Sequence, residues 1–431
     1  MKTKLLAVVI AAAFAAPAFA QSSVVVYGIA DAGLMYVNNG GNDARTKLVS
    51  GIADGSRLGF KGTEDIGGGY KAIFNLEARV QLDTGSQQAG NLSSNQGYAL
   101  SDGLNFTVPA AAGGAATAAK LLAAVRAGLQ PAVNVNISGA LFDRTSMVGL
   151  VTPVGAVLLG RMYTPGYEVF NNADVFESGT AAGWGGIVGG TGGLLTAGIA
   201  IRSDKSLQYR IELPNGVGAS LMYGTEKSGY VGMDKKSWGA NLRYRANGLD
   251  VGVAHNHGTD QVGNRGLVTT TIGGSYKIND WKLFAGYHTQ KNENSVIILF
   301  ADSTFAPTFA GFGPALGPVL AGQLHSALVR NFYLNAASAQ VGFHYQMGAG
   351  RLMASVVRQN DKRASDSDAT QFGLGYDYNL SKRTDIYTIA AYIKNRNQGQ
   401  YAIGAASASG GFTSTPGEAS KGIQIGMRHR F

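Results

Sequence analysis

Apolar and polar residues alternate with a period of two in many separate segments of this 431-residue chain. The clearest example spans residues 236–245, and similar patterns occupy 371–379 and 340–346. In the first of these, the apolar positions are Trp238, Ala240, Leu242 and Tyr244. Side chains that repeat every two residues lie on one face of a β-strand, and a helix does not produce this pattern. The sequence therefore predicts an all-β protein whose strands each have one apolar and one polar face.

Sixteen such segments can be counted along the chain. They lie near 24–37, 57–64, 70–80, 143–151, 156–163, 205–213, 217–225, 236–245, 249–257, 268–277, 281–290, 337–346, 352–360, 370–379, 385–394 and 422–431. A tilted strand of about 9–11 residues is long enough to cross a bilayer. Each segment is therefore long enough to be a membrane-spanning strand.

Short turns and long connections alternate between these segments. Turn sequences rich in Gly, Pro and Asn join one set of ends, as at Pro214-Asn215-Gly216 and Ala246-Asn247-Gly248. The long connections are 38–56, 81–142, 164–204, 226–235, 258–267, 291–336, 361–369 and 395–421. An even number of strands with short periplasmic turns and long extracellular loops is typical of a closed, antiparallel outer-membrane β-barrel. A soluble β-sandwich also alternates, but sixteen regular strands exceed the usual sandwich.

The amino terminus has the pattern of a secretory signal peptide. Lys2 and Lys4 precede an apolar run, and the stretch ends at Ala18-Phe19-Ala20. We expect residues 1–20 to be removed and residues 21–431 to form a single barrel domain. Without Lys2 and Lys4, the 36 basic residues fall to 34 against 27 acidic residues, a formal charge of +7. The chain has no cysteine, so no disulfide framework is expected. The predicted location is the outer membrane of a Gram-negative bacterium.

Several chemical signatures are missing from the sequence. No apolar run of about 18 residues follows the signal peptide, which argues against a helical membrane span. The six histidines lack helical metal-ligand spacing, and His255 and His257 are interpreted as interfacial or lumen-facing residues rather than as a metal site. Neither a nucleophile elbow nor a phosphate-binding loop is present. The sequence thus predicts no enzyme activity, no cofactor and, because basic residues do not cluster, no nucleic-acid partner.

Four stretches resemble the Gram-negative general porins, which are sixteen-stranded and trimeric. They are Val25–Asp31, Ser56–Asp65, Leu159–Pro165 and Gly426–Phe431. The resemblance implies a homotrimeric passive diffusion channel for ions and small hydrophilic solutes, in contact with lipopolysaccharide and outer-membrane lipid. It also implies that loop 164–204, the third long loop, folds into the lumen and narrows it. The chain departs from the family at 91–142, where an insert predicts a short helix at 117–128, and at 291–336, a long apolar connection.

The alternation also predicts which side chains line the lumen. Strand 57–64 turns Arg57 and Lys61 inward, and strand 70–80 turns Glu77 and Arg79 inward. In strand 156–163 the predicted lipid-facing residues are Leu158, Gly160 and Met162, with Arg161 inward. In strand 205–213 the predicted lumen residues are Gln208, Arg210 and Glu212.

The resemblance places the arginine ladder of the family on Arg57, Arg161 and Arg210. The predicted basic wall of the constriction is therefore Arg57, Lys61, Arg79, Arg161 and Arg210. The predicted acids are Glu77 and three residues of the third loop, Glu168, Asp174 and Glu177. Alternatively, those three acids belong to a solvated surface loop. Loops carry no periodicity, so the sequence does not indicate which acid lies deepest.

The basic wall and the positive net charge predict a mild preference for anions. Two alternatives remain: a substrate-specific channel of the same architecture, which would need an aromatic or charged track down the lumen, and an outer-membrane barrel enzyme. The carboxyl-terminal Phe431 shares the register of Ile423, Ile425, Met427 and His429. It resembles the signal that the outer-membrane assembly machinery reads, although a last strand alone would also explain the apolar register.

Overall fold

The computed structural model describes residues 23–41, 44–87, 90–91, 104–133, 140–188, 198–225, 235–260, 262–293 and 295–431. The predicted signal peptide, residues 1–20, lies outside these ranges. Parts of the connections 81–142, 164–204 and 226–235 also lie outside them.

The described chain is mostly β-structure, with its helices confined to connections. The strands are β1 (Ser23–Asn38), β2 (Ala44–Ser50), β3 (Arg57–Gly67), β4 (Tyr70–Arg79), β5 (Gly90–Asn91), β6 (Thr145–Thr152), β7 (Gly155–Tyr163), β8 (Arg202–Glu212), β9 (Val217–Gly224), β10 (Lys236–Ala246), β11 (Leu249–Thr259), β12 (Arg265–Ile278), β13 (Trp281–Asn292), β14 (Leu334–Met347), β15 (Gly350–Asp361), β16 (Ala369–Asn379), β17 (Thr384–Asn395), β18 (Ala408–Ser409) and β19 (Ser420–Arg430). The helices are α1 (Gly114–Val133), α2 (Pro165–Ala173), α3 (Trp184–Val188), α4 (Ser295–Ala310) and α5 (Gly313–Phe332), with a 3₁₀ turn at Ala110–Ala112.

The large sheet closes on itself through β1. The first residues of β1 pair with β3, and residues 29–38 pair with β19, in both cases antiparallel. Each of the other wall strands pairs with its neighbour along the chain. Within the described residues, β2 and β3 fill one position of the wall because both pair with β1 along its length. The wall therefore has sixteen strand positions, as predicted. Closure pairs the wall strands of the described ranges along both edges, apart from β2, as lipid requires of a membrane-spanning sheet.

The structure corrects the predicted connection 38–56, because residues 44–50 form β2. Between β2 and β3 the chain turns around the buried carboxylate of Asp31. This carboxylate accepts hydrogen bonds from the backbone N–H groups of Ile52, Ala53 and Asp54, and from the Tyr387 hydroxyl at 2.6 Å. Because β2 continues the wall beyond β3, this turn places Arg57 part-way down the barrel rather than at its rim.

The two faces of the strands follow the predicted alternation at most positions. In β19, for example, Ile423, Ile425 and Met427 are more than half exposed, whereas Gln424 is fully buried on the inner side. The apolar outer face is the surface that lipid covers in an outer-membrane barrel.

The predicted register of β7 is wrong. Leu158 and Met162, predicted to face lipid together with Gly160, are 6% and 5% exposed, whereas Leu159 is 51% exposed. Leu159 pairs with the exposed Val148 and Leu207, which places it on the outer face. The strand carries apolar residues on both faces, so alternation alone does not distinguish them.

The two connections that depart from the family contain the longest helices. The helix predicted at 117–128 is present within α1, and the connection 291–336 contains α4 and α5. None of the helices in the described ranges is both long enough and apolar enough to cross a membrane.

Candidate functional site

The first part of the third long loop lies against the inner face of the barrel. Thr164 caps the start of helix α2 in this loop. The Thr164 hydroxyl accepts a hydrogen bond from the Tyr167 N–H and donates one to the Ala200 carbonyl. Beyond α2, the loop reaches the wall through three inward side chains. Gln340 on β14 accepts from the Val175 N–H, Gln371 on β16 donates to the Ala182 carbonyl, and Gln424 on β19 accepts from the Ala181 N–H.

Several inward positions of the wall under this loop are glycines, which allows the loop to approach closely. A Cβ atom added to Gly286 would lie 2.6 Å from the ring of Trp184, and one added to Gly273 would lie 2.8 Å from Ala173. Both positions therefore require a residue without a side chain. We give the name glycine floor to these inward glycines that contact the loop: Gly239, Gly252, Gly273, Gly286, Gly342, Gly373 and Gly375.

Asp174 organises the loop from within. Its carboxylate accepts hydrogen bonds from the backbone N–H groups of Phe176, Ser178, Trp184 and Gly185, and from the Gln340 side chain. Asp174 is 1% exposed. Burial raises its pKa to about 6, although the hydrogen bonds from these donors lower the pKa in part. The carboxylate thus holds the loop in its folded form and does not face the open lumen.

Three arginines meet around one acid and one phenol on the opposite side of the lumen from the glycine floor. We call Arg57, Arg144 and Arg202 the arginine cluster. Arg144 Nε donates to Glu77 at 2.5 Å, and Arg57 Nη1 lies 3.8 Å from the same carboxylate. Arg202 Nη2 donates to the Tyr163 hydroxyl at 2.6 Å and lies over the Tyr163 ring, 4.3 Å from its centroid.

Two acids pair with members of the cluster. Arg57 pairs with Asp54, and Glu77 pairs with both Arg57 and Arg144. Guanidinium groups remain charged at any physiological pH, so three positive charges lie close together at this level of the wall. The Tyr163 ring stacks on Tyr167 of α2 at 5.2 Å, and this contact joins the cluster to the base of the third loop.

The other residues predicted for the basic wall lie outside this cluster. Lys61 Nζ lies 5.0 Å from the Tyr27 ring centroid, and Arg79 pairs with Asp143 at 3.0 Å. Arg161 pairs with Asp204 and donates to the Asp143 carbonyl. Arg210 pairs with Glu168 at 2.5 Å, and Glu168 also accepts from Asn241.

The last of the predicted acids, Glu177, follows α2 and pairs with Arg351 at 3.1 Å. The surrounding protein partly desolvates this half-exposed side chain and disfavours its charged form, but Arg351 outweighs this effect and holds the pKa of Glu177 below its usual value. Glu177 and Arg351 line a small cavity between the loop and the wall, together with Asp377, Tyr387 and Arg428.

The sequence reasoning did not identify Arg144, Arg202 and Tyr163. Arg144 precedes β6, Arg202 begins β8 and Tyr163 ends β7. At strand ends the two-residue alternation gives no register, so no pattern marked these side chains. For Arg144 and Arg202, the sequence signal is an arginine close to the start of a predicted strand segment.

Metal chemistry finds no support in the described part of the chain, where no group of three or more His, Asp or Glu side chains is placed to hold an ion. His255 and His257 lie beside Trp238, with ring centroids 5.2 and 6.1 Å away.

Comparisons with known proteins agree with this architecture. Residues 7–398 match the family model described as Gram-negative porin. The chain is 28% identical over the full length of both proteins to outer membrane porin protein 32 of Delftia acidovorans. It is 25% identical, again over both full lengths, to an outer membrane porin protein of Bordetella pertussis.

Among solved structures, the fold is similar to the anion-selective porin from Comamonas acidovorans, with a TM-score of 0.65 and 23% identity. The match covers 95% of this chain and 100% of that porin. The chain therefore belongs to the Gram-negative porin family and is an outer-membrane β-barrel channel through which ions and small hydrophilic solutes diffuse passively.

Proposed function

We propose that this porin prefers anions and that the arginine cluster sets the preference. The observation that carries the proposal is the meeting of Arg57, Arg144 and Arg202 around Glu77 and the Tyr163 hydroxyl. Fixed charges at a narrow level of a pore decide which ions enter it readily. Three guanidinium groups concentrate positive charge at one level of the wall, which favours anions there.

The placement of the loop acids supports the same direction. A transverse field between a basic wall and an acidic loop would need free carboxylates on the third loop. Asp174 is buried among backbone donors, Glu168 pairs with Arg210, and Glu177 pairs with Arg351. The solved porin with the similar fold is named as anion-selective, which agrees with this direction.

The test is the reversal potential of the purified channel in a planar bilayer under a gradient of potassium chloride. We expect the sign that corresponds to chloride passing more readily than potassium. The excess should shrink at high ionic strength, because salt screens the fixed charges of the cluster. A reversal potential with the sign for cation selectivity would contradict the proposal.

We propose a homotrimer in contact with lipopolysaccharide and outer-membrane lipid, formed after removal of residues 1–20. The apolar outer face of the wall strands supports both contacts, because it offers continuous surface to lipid and to neighbouring copies.

The family consists of channels, and we assign no catalytic activity to this one. We also propose that the channel selects solutes by their size and charge and has no dedicated substrate.

Phe431 is proposed as the signal for the outer-membrane assembly machinery. Its backbone exchanges two 3.1 Å hydrogen bonds with Gly28, and its half-exposed ring covers Gly28 on the outer face. We expect deletion of Phe431 to slow assembly in cells, measured as the fraction of heat-modifiable barrel after a pulse of synthesis.

The matched control for this deletion is Ile386→Ala. Ile386 is 44% exposed on the outer face of β17, next to β19, so its truncation removes apolar surface but leaves Phe431 in place. Normal assembly of Ile386→Ala together with slow assembly of the deletion separates recognition from the loss of apolar surface. Equal rates for the deletion and the natural chain would contradict the signal.

A further inference from the structure

Two of the long connections leave the barrel on opposite sides. Counting around the wall from β1, with β2 and β3 as one position, the connection that carries α1 joins positions three and four, β4 and β6. The connection that carries α4 and α5 joins positions eleven and twelve, β13 and β14. The two points are eight positions apart in a ring of sixteen, which is half of the circumference.

Helices from these opposite points pack on each other. Thr107, before α1, donates its backbone N–H to the Gln323 side chain of α5 at 3.0 Å. The rings of Phe106 and Phe309 lie 5.8 Å apart, and Gly128 of α1 abuts the Phe305 ring of α4. The buried residues of this shared apolar core are Leu104, Phe106, Leu121, Val125, Ile298, Ala301, Phe305, Phe309, Leu320, Leu324, Ala327, Leu328 and Phe332.

The lengths of these helices match the width of the barrel. Sixteen tilted strands about 4.8 Å apart enclose a barrel about 30 Å across. Helices α1 and α5 each have 20 residues, and a helix of this length spans about 30 Å. The shortest line between opposite points of the rim passes over the opening, so helices of this size can bridge it.

We propose that α1, α4 and α5, together named the helical strap, cross the loop-side mouth of the channel and act as a second size filter above the third loop. Residues 104–133 and 295–332 carry only Lys120, Arg126, Arg330, Asp302 and His325 as ionisable side chains. His325 contacts Asp302 at 2.6 Å. With so few charges, the helical strap restricts solutes by bulk, whereas the arginine cluster acts on their charge.

Neutral polymers of graded size test the strap, because their entry into a single channel lowers its conductance. Residues 295–332 are replaced by a short Gly/Ser linker, and polymers are added separately to each side of the bilayer. In the natural channel we expect the loop side to exclude polymers that enter from the turn side. In the linker variant we expect this asymmetry to be lost while the reversal potential is unchanged. An asymmetry that persists in the linker variant, or is missing from the natural channel, overturns the proposal.

A pair of point substitutions tests the same proposal without deletion. Leu324 of α5 is buried in the shared core, whereas Val319 of the same helix is half exposed. We expect Leu324→Asp to admit larger polymers from the loop side and Val319→Asp to behave as the natural channel. Identical polymer cut-offs for the two variants would contradict a strap held by its apolar core.

Cross-linking tests whether the two connections meet within one chain. The chain has no cysteine, so Thr107→Cys with Gln323→Cys provides a unique pair for a short bismaleimide. We expect a cross-linked monomer on a denaturing gel, formed in intact membranes and missing from both single variants. A covalent dimer would show that α1 packs on a neighbouring protomer and would overturn the proposal for a strap within one barrel.

Discussion

Replacing both Arg57 and Arg202 by glutamine will abolish most of the anion preference, and Arg57→Gln with Arg202→Glu will reverse it. The interaction energy between a unit charge and an ion about 4 Å away in water is about 1 kcal/mol. This energy changes the partition of the ion into the pore about fivefold. Two lost charges should therefore lower the ratio of chloride to potassium permeability about tenfold or more. Reversal potentials under a salt gradient measure this ratio directly.

Arg144 is left in place in these variants because its Nε holds the buried Glu77 at 2.5 Å. Removal of Arg144 would leave a buried carboxylate without its closest partner and would test folding instead of permeation. The matched control is Arg245→Gln, since Arg245 is 59% exposed beside a short turn. A permeability ratio that changes equally in the control and in the double variant would place the selectivity elsewhere.

Asp174→Ala will release the third loop from the wall. Four backbone N–H groups would lose their acceptor, and each buried donor left without a partner costs about 1–3 kcal/mol. The loop lies over the glycine floor, so a detached loop can move only toward the open half of the lumen. We expect lower single-channel conductance with frequent brief closures, recorded at constant voltage.

Glu177→Ala is the control for Asp174→Ala. Glu177 lies three residues further along the loop, and its half-exposed side chain pairs with Arg351. A pair of this exposure contributes about 0–1 kcal/mol, so its loss should leave the closures near the natural frequency. Quiet, full conductance in Asp174→Ala would show that the carboxylate does not hold the loop.

The raised pKa of Asp174 gives loop docking a pH dependence of defined sign. Burial raises the pKa from 3.8 in a free loop to about 6 in the docked loop, so docking takes up a proton between these values. Docking should strengthen as the pH falls from about 7 to about 4, and weaken as the pH rises through 6. Closures should become rarer on acidification, and Asp174→Asn should remove the dependence. His344, which contacts the Val175 carbonyl, is present in both the natural channel and the Asp174→Asn variant. A pH dependence that persists in Asp174→Asn would therefore point to His344 instead of Asp174.

The strands could be predicted from the sequence because each residue in a two-faced wall meets either lipid or water. The predicted sixteen segments agree with the observed wall strands within a few residues. The β7 register failed where both Leu158 and Leu159 are apolar, since Leu158 is buried on the inner side of the wall. The strand β2 was missed because the break at 51–56 depends on a carboxylate, Asp31, twenty residues earlier in the chain.

The candidate site was less predictable than the wall for a different physical reason. Arg57 and Glu77 fall in segments whose alternation predicts an inward side chain, although Arg57 is the first residue of β3. Arg144 precedes β6, and Arg202 begins β8 ahead of the regular alternation, so their meeting depends on how the adjoining connections fold. Likewise, sequence reasoning could predict a helix within α1 from its composition, but not its contact with α4 and α5 from the opposite side of the barrel.

The glycine floor divides the barrel into two halves with different freedom to change. Under the third loop, an inward side chain at Gly286 or Gly273 would collide with Trp184 or Ala173. Substitutions that change the width of the passage, whether designed or evolved, must therefore lie in the half of the wall that carries Arg57 and Arg202. Libraries of random variants should recover altered permeation from that half and misassembled protein from the other.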